Sequence, residues 1–330
     1  MALETRLTKI CGITHPIVQG GMHYVAYAEL AAAVSNAGGL GIITALTQPN
    51  PEALRNEIRK TRKLTNKPFG VNITLLPAMS PPDYPAFIRV IVEEKVGIVE
   101  TAGHSPGKII KTLKENGIIV IHKCTTIRHA LAAQRLGVDI LSIDGWDCAG
   151  HPSLTEEVGN FVLLAVAAKK LSIPFIASGG VGNGAQLAAA LTLGAEGVNC
   201  GTLFMATEEA PIHPNIKKAL VDGKEGDTTH IFKTLKNTER VFKNKQSAKV
   251  LEMEAAKPGD FQAVRPFVSG ALYKKSFQET GDTQSSVWSC GPAMGLIDDI
   301  PSCQVLIERM VADAEYVLKD TVMRVCRSRL

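Results

Sequence analysis

The chain has 330 residues, with 36 Lys+Arg against 32 Asp+Glu, a formal charge of +4 with neutral histidines. That excess is too small to advertise nucleic acid, and 45% hydrophobic residues with 21% charged residues and scattered glycines exclude disorder and collagen-like repeats. Seven cysteines, an odd number without a C-x-x-C pair, fit reduced thiols in a cytoplasmic protein better than a disulfide framework.

Residues 1–11 alternate charge and polarity without the apolar centre of a signal peptide. The longest apolar stretch, 161–168, falls far short of the ~18 residues needed to span a bilayer, so no membrane partner is expected. Short runs rich in Val and Ile follow at 17–19, 40–45, 69–75, 97–102, 118–124, 138–144, 174–178 and 197–204. Their starts recur about every 26 residues, room for a strand, a helix and two short loops but too far apart for hairpins. Asn50-Pro51 and Ser105-Pro106 place a capping side chain and a ring-locked proline at helix starts, and Gly117 and Gly137 stand where a left-handed C′ residue is wanted. Between Thr125 and Gly137, Ile127, Ala130 and Leu131 form one apolar helix face.

Continuous apolar strands such as Ile118-Ile119-Val120-Ile121 imply burial on both faces, hence a parallel sheet covered by helices. Eight units favour an α/β fold, a closed (β/α)8 TIM barrel, over an open doubly wound sheet. After Phe204 the rhythm stops. Residues 213–256 read as helices with many lysines and 259–281 as a further helix followed by a loop, so 213–280 is expected to be a mainly helical lid. Residues 1–212 and 281–330 then form the barrel, closed by a last helix from 302 to the end. The small positive excess falls largely in the lid and reads as solvated surface. The final Ser328-Arg329-Leu330 is a conservative variant of the peroxisomal S-K-L address, which makes the peroxisome the alternative location to the cytoplasm.

In such a barrel the working groups sit at the C-terminal ends of strands and in the loops that follow. Those positions hold Gly20-Gly21-Met22-His23, Asn72, Thr74, Lys123, the stretch from Asp144 to His151, Ser178-Gly179-Gly180, and Gly201-Thr202. Glycine turns after the seventh and eighth strands mark the usual phosphate site of these barrels. Gly180-Val181-Gly182-Asn183-Gly184-Ala185 nominally fits a dinucleotide finger but lies in the seventh unit, with no acidic residue ending the next strand. Lys123 and Asp144 either pair with each other or place a lysine where it offsets negative charge on a cofactor. His151, in the unperiodic loop Cys148-Ala149-Gly150-His151-Pro152, is the first candidate for acid–base or electrostatic work, and His23 the second. His122, Cys124, Cys148 and His151 do not match an established zinc spacing, and alternation turns His122 and Cys124 away from Lys123, so no metal is expected. The chain has no G-x-S-x-G elbow.

With these residues in place, the sequence resembles the nitronate monooxygenases, formerly called 2-nitropropane dioxygenases, which are FMN-dependent barrels. The resemblance runs from Pro16 to the end through Gln19-Gly20-Gly21-Met22, residues 33–41, Gly70-Val71-Asn72, His122-Lys123-Cys124-Thr125, Ala149-Gly150-His151-Pro152, Ala177-Ser178-Gly179-Gly180 and Asn199-Cys200-Gly201-Thr202. The His-Lys-Cys-Thr block, residues 142–145 and the tail around Trp288-Ser289 look most like the branch described as NADH:quinone reductases, although His23 stands where that branch has glutamine. The resemblance implies FMN as cofactor. Gly21, Met22, His23, Asn72, Thr74 and Lys123 would contact its ring side, and Ser178, Gly179, Gly180, Gly201 and Thr202 would hold its phosphate. Asp144, Ala149 and Gly150 would complete the contacts, with His151 and Lys123 as catalytic residues. It implies oxidation of alkyl nitronates with O2 to carbonyl compounds and nitrite, or, as the alternative, NADH:quinone reduction on the same FMN. An FMN-dependent enoyl reductase and a non-enzymatic phosphate-binding barrel stand further off. A homodimer is compatible with all of these readings.

Overall fold

The computed structural model describes residues 3–75 and 82–325. Parallel strands β1 (Ile17–Gln19), β2 (Leu40–Thr44), β3 (Phe69–Leu75), β4 (Ile98–Gly103), β5 (Ile119–Cys124), β6 (Ile140–Asp144), β7 (Phe175–Ser178) and β8 (Val198–Cys200) close into one barrel in chain order, with β8 paired back onto β1. This is the (β/α)8 barrel that the eight-fold rhythm predicts.

The strands are apolar on both faces because each face has its own core. Val18, Leu40, Ile42, Ile98, Ile121, Ile140 and Ile176 point inward and fill the lower half of the barrel, where the helix Arg6–Cys11 closes the base with Leu7 and Cys11. Their neighbours Ile17, Ile43, Val99, Val120, Leu141 and Phe175 point outward into the larger core beneath the helices. The expected caps are present at several helices. Asn50 accepts from the Ala53 N–H at the start of Pro51–Leu64, and Gly117 and Gly137 take φ of 68° and 89° after their helices. The helix Ile127–Arg135 buries Ile127 and Ala130 together with Ala133, while Leu131 is half-buried.

Four expectations need correction. The eighth strand stops at Cys200, and the helix Thr202–Met205 begins directly after Gly201, because the strand's partners β1 and β7 end at Gln19 and Ser178, opposite Cys200 and Asn199. The helix after Ser105-Pro106 begins at Gly107, with Pro106 as its N-cap; Ser105 Oγ reaches only the Gly107 N–H, at 3.4 Å. Residues 259–281 hold two short α-helices, Phe261–Val264 and Gly270–Lys275, the first running into a 3-10 turn at Arg265–Phe267 and the second into a π-helical turn at Ser276–Thr280. The lid is also not purely helical between 213 and 256. Between the helices Pro214–Val221 and Lys245–Ala256 lies an antiparallel pair, β9 (Thr228–Ile231) and β10 (Glu239–Phe242). The lysines hide its short alternation, in which Ile231 and Val241 are buried with Phe232, Val250 and Val264 in a small separate core.

The helix Cys303–Val325 lies against Gly184–Thr192 and Ala28–Asn36 of the barrel, burying Leu306, Ile307, Met310, Val311 and Ala314 along one stripe. Among the described residues no helix is long and apolar enough to cross a membrane. The terminal Ser-Arg-Leu lies outside the described residues.

Candidate active site

Moving up the barrel, the inward positions change character. Above the apolar plug, Asn72 and Thr74 on β3, Glu100 on β4, Lys123 on β5, Ser142 and Asp144 on β6, Ser178 on β7 and Asn199 on β8 share the inward parity. Over them opens a cavity of about 590 Å³ at the C-terminal end of the strands. Gly21, Met22, His23, Asn72, Thr74, Lys123, Asp144, Ala149, Gly150, His151, Ser178, Gly179, Gly180, Gly201 and Thr202 all line it. Residues from the tops of six strands thus meet around one space of small-molecule size.

Lys123 pairs with Asp144: its Nζ lies 3.2 Å from Asp144 Oδ1 and donates to Ser178 Oγ at 3.2 Å, and the residue lines the cavity. Burial works to lower its pKa, but the carboxylates of Asp144 and Glu100 outweigh that and hold it above the ordinary lysine value. The group is therefore a permanent ammonium at neutral pH. The turn after β7 is shaped for close approach. Gly179 and Gly180 have φ of 91° and 74°, and a Cβ at Gly179 would come within 2.6 Å of the Cys148 backbone. Asn160 Nδ2 donates to the carbonyls of Ser178 and Gly179 at 2.8 and 2.6 Å, and Gln186 Nε2 to that of Gly180 at 2.6 Å. At the neighbouring turn, Thr202 Oγ1 accepts from the Gly291 N–H at 2.9 Å, leaving its own hydroxyl hydrogen available to a ligand. Asp147, which also borders this corner, is engaged by the Asn160 N–H at 2.9 Å.

The His151 loop is held by the lid. Gly150, at φ 70°, pairs with Arg240 of β10 through N–H···O bonds in both directions, at 3.2 and 2.6 Å. The Arg240 guanidinium donates to the Trp146 carbonyl and to Thr228 Oγ1, both at 2.9 Å, and Val241 bridges to Ser289. β10 is thus stitched between the loop that carries His151 and the segment from Trp288 to Gly291. Glu239 and Tyr273 face the cavity from this side, and Ser289 Oγ donates to Glu239 Oε1 at 2.6 Å. His23 sits at the exposed rim, with its ring 3.9 Å from that of Tyr24 and its Nδ1 3.4 Å from Thr47 Oγ1.

His122 and Cys124 point away from Lys123. His122 Nδ1 lies 2.8 Å from Thr101 Oγ1, Cys124 is in the outer core, and Cys148 lines the cavity with His151. Among the described residues no group of three or more His, Cys, Asp or Glu is placed to hold a metal. The sequence reading missed Glu100, Asn199, Asn160, Glu239 and Tyr273. A lone acid among the apolar residues of β4 was a signal for Glu100, since a buried carboxylate needs partners. Asn199 stands in the block Asn199-Cys200-Gly201-Thr202 without being singled out, and Asn160, Glu239 and Tyr273 carry no local mark.

A barrel with a charged, glycine-walled cavity at its C-terminal end, held between strand loops and lid, defines a barrel enzyme that binds a small ligand. The sequence matches the family model described as nitronate monooxygenase over residues 4–86 and 78–313, and the chain belongs to that family of oxidoreductases. Its relatives include a (3aS,4S,5R,7aS)-5-hydroxy-7a-methyl-1-oxo-octahydro-1H-indene-4-carboxyl-CoA dehydrogenase of Rhodococcus jostii RHA1, 33% identical over 94% of this chain and 96% of the relative. A nitronate monooxygenase of Paraburkholderia phytofirmans is 28% identical over 96% and 95%. Among solved structures, FabK from Thermotoga maritima is 36% identical with a TM-score of 0.89, over 99% of each chain.

Proposed function

We propose that this protein is a cytoplasmic FMN-dependent oxidoreductase that oxidises alkyl nitronates with O2 to carbonyl compounds and nitrite. The observation that carries the reading is the joining, in one cavity, of a permanent ammonium at Lys123, the His151 loop and the glycine turn from Ser178 to Gly180. These residues fit a phosphate-bearing cofactor. A Cβ at Gly201 would meet nothing nearer than Met22 Sδ at 3.4 Å, and Thr202 keeps a free hydroxyl hydrogen, so this wall offers room and donors.

Ser178, Gly179, Gly180, Gly201 and Thr202 would hold the phosphate, and Gly21, Met22, Asn72 and Thr74 would lie along the ring. FMN, when bound, supplies the redox centre of the reaction. Lys123 offsets negative charge that accumulates in the cavity. His151 orients an anionic substrate or manages its proton, with its loop held in place by Arg240. The aromatic side, half-buried Tyr273 with buried Phe232 and the exposed Phe261 at its edge, excludes water from the hydrocarbon part of the substrate. On this reading, His151→Asn retains yellow colour and FMN while turnover falls about a hundredfold; unchanged turnover on nitronates removes the role.

A second reading is favoured by the relatives. The Rhodococcus enzyme is named for a CoA thioester, which raises acyl thioesters as substrates of the same cavity. NADH:quinone reduction on the same FMN is the third. Mixing the holoenzyme anaerobically with propyl nitronate, with NADH, or with a saturated acyl thioester shows which bleaches the flavin. Crotonyl thioester added to NADH-reduced enzyme tests the opposite direction. Bleaching by nitronate alone supports the main reading, and bleaching only by NADH or thioester replaces it.

A further inference from the structure

Glu100 is a carboxylate with no access to solvent, inside the barrel, directly beneath the cavity. Its Oε2 accepts from the Gly21 backbone N–H at 3.0 Å and from Asn72 Nδ2 at 2.7 Å, and its Oε1 accepts from Asn199 Nδ2 at 2.8 Å. All three donors belong to residues that line the cavity, whereas Glu100 itself does not. The two amides it holds are the surface on which the first loop rests: a Cβ at Gly20 would overlap Asn199, and one at Gly21 would overlap Asn72. The Gly20-Gly21 peptide therefore lies flat on two side chains whose orientation one carboxylate sets.

The same network runs on across the barrel. Asn199 Nδ2 also reaches Ser142 Oγ at 3.3 Å, Ser142 Oγ donates to Asp144 Oδ1 at 3.4 Å, and Asp144 pairs with Lys123, which donates to Ser178. One hydrogen-bonded chain thus connects the first loop to the glycine turn after β7. Both Glu100 oxygens accept from N–H groups and Asp144 faces the Ser142 hydroxyl and the Lys123 ammonium, so the network sets two carboxylates against one ammonium. The low dielectric of the interior makes each of these charges felt in the cavity above.

We infer that Glu100 is a positioning residue of the active site: it seats Gly20-Gly21 and fixes Asn72 and Asn199 under the cofactor, and its charge makes bound FMN harder to reduce. The inference rests on the proposed FMN-dependent function for its second half alone. Glutamine at this position keeps the shape, removes the charge, and cannot accept all three N–H groups through two oxygens.

Two readouts on Glu100→Gln test it. In the folded protein, hydrogen exchange of the Gly21 amide should accelerate at least tenfold relative to wild type, with barrel-core amides unchanged. In the FMN-loaded protein, the midpoint potential measured by dye equilibration should move positive. The double variant Glu100→Gln with Asn199→Asp returns a carboxylate to the network, with the new amide as its donor, and should bring the potential back toward wild type. Unchanged Gly21 exchange together with an unchanged potential overturns the proposal. If Glu100→Gln does not fold, a folded double variant with wild-type-like potential supports the proposal; failure of both to fold makes Glu100 a folding residue and overturns it. Wild-type protein that takes up no FMN removes the functional reading, and the Gly21 exchange then decides the positioning role by itself.

Discussion

Lys123 stands where the apolar interior of the barrel gives way to its polar top, and its charge is carried there by Asp144 at 3.2 Å. Replacing it with methionine leaves Asp144, nearly inaccessible, without its cation, a loss on the order of 3 kcal/mol. Because the folded pKa of Lys123 is raised, its stabilisation is present in full below the unfolded lysine value of about 10.4 and is lost as pH rises through the folded value. The difference between wild type and Lys123→Met in urea unfolding should therefore stay flat from neutral pH to about pH 10 and shrink above it. Histidines act at the other end of the scale. Burial lowers the His122 pKa to about 4, and burial with Arg240 and Lys233 lowers that of His230 to about 4. The unfolded chain takes up those protons near pH 6.5 and the folded one does not, so stability falls on acidification between about 6.5 and 4. The slope approaches about 1.4 kcal/mol per pH unit for each histidine. His122→Asn should flatten it by one histidine's share, and an unaltered slope in urea titrations rejects that assignment.

At the scale of elements, close contact between helices and barrel depends on a few glycines. Gly184 opens the helix Gly184–Thr192, and a Cβ there would overlap the Met310 carbonyl of the last helix. Gly184→Ala must push the helix Cys303–Val325 outward along its buried stripe, at about 2–3 kcal/mol, the upper range for overpacking. Denaturant unfolding checks the size, and a neutral effect means that the two helices do not meet as closely as described. The strap made by β9 and β10 was illegible in the sequence for a related reason. Thr228–Ile231 and Glu239–Phe242 are too short to show alternation and are flanked by lysines, and β10 is held by Gly150 and Ser289 brought alongside it. The barrel strands, by contrast, are legible because burial on both faces leaves an apolar run that no loop or surface helix imitates.

For the whole molecule, the site is assembled from the tops of seven of the eight strands and closed from one side by the lid. A ligand bound there touches many loops at once and should stabilise the fold as a unit. FMN added to apoprotein at a hundred times its dissociation constant should raise unfolding free energy by about 2.7 kcal/mol. Absence of a shift in thermal unfolding, in a protein that is also colourless, counts against every flavin reading.

The amino-acid sequence by itself determined the eight-fold repeat, the parallel strands and the polar positions at strand ends, because periodicity, glycine turns and residue type act locally and can be read locally. It also singled out residues from Gly21 to Thr202 that meet around one cavity, since strand tops in a barrel converge whatever their order. Only the tertiary structure decided which groups join beneath that cavity. Register sets Asn72 beside Glu100, and closure of β8 onto β1 brings Asn199 to the same carboxylate, a partnership across 99 residues of chain. Hydrogen bonds between such distant residues follow from strand register and barrel closure, and neither is written in the neighbourhood of the residues concerned.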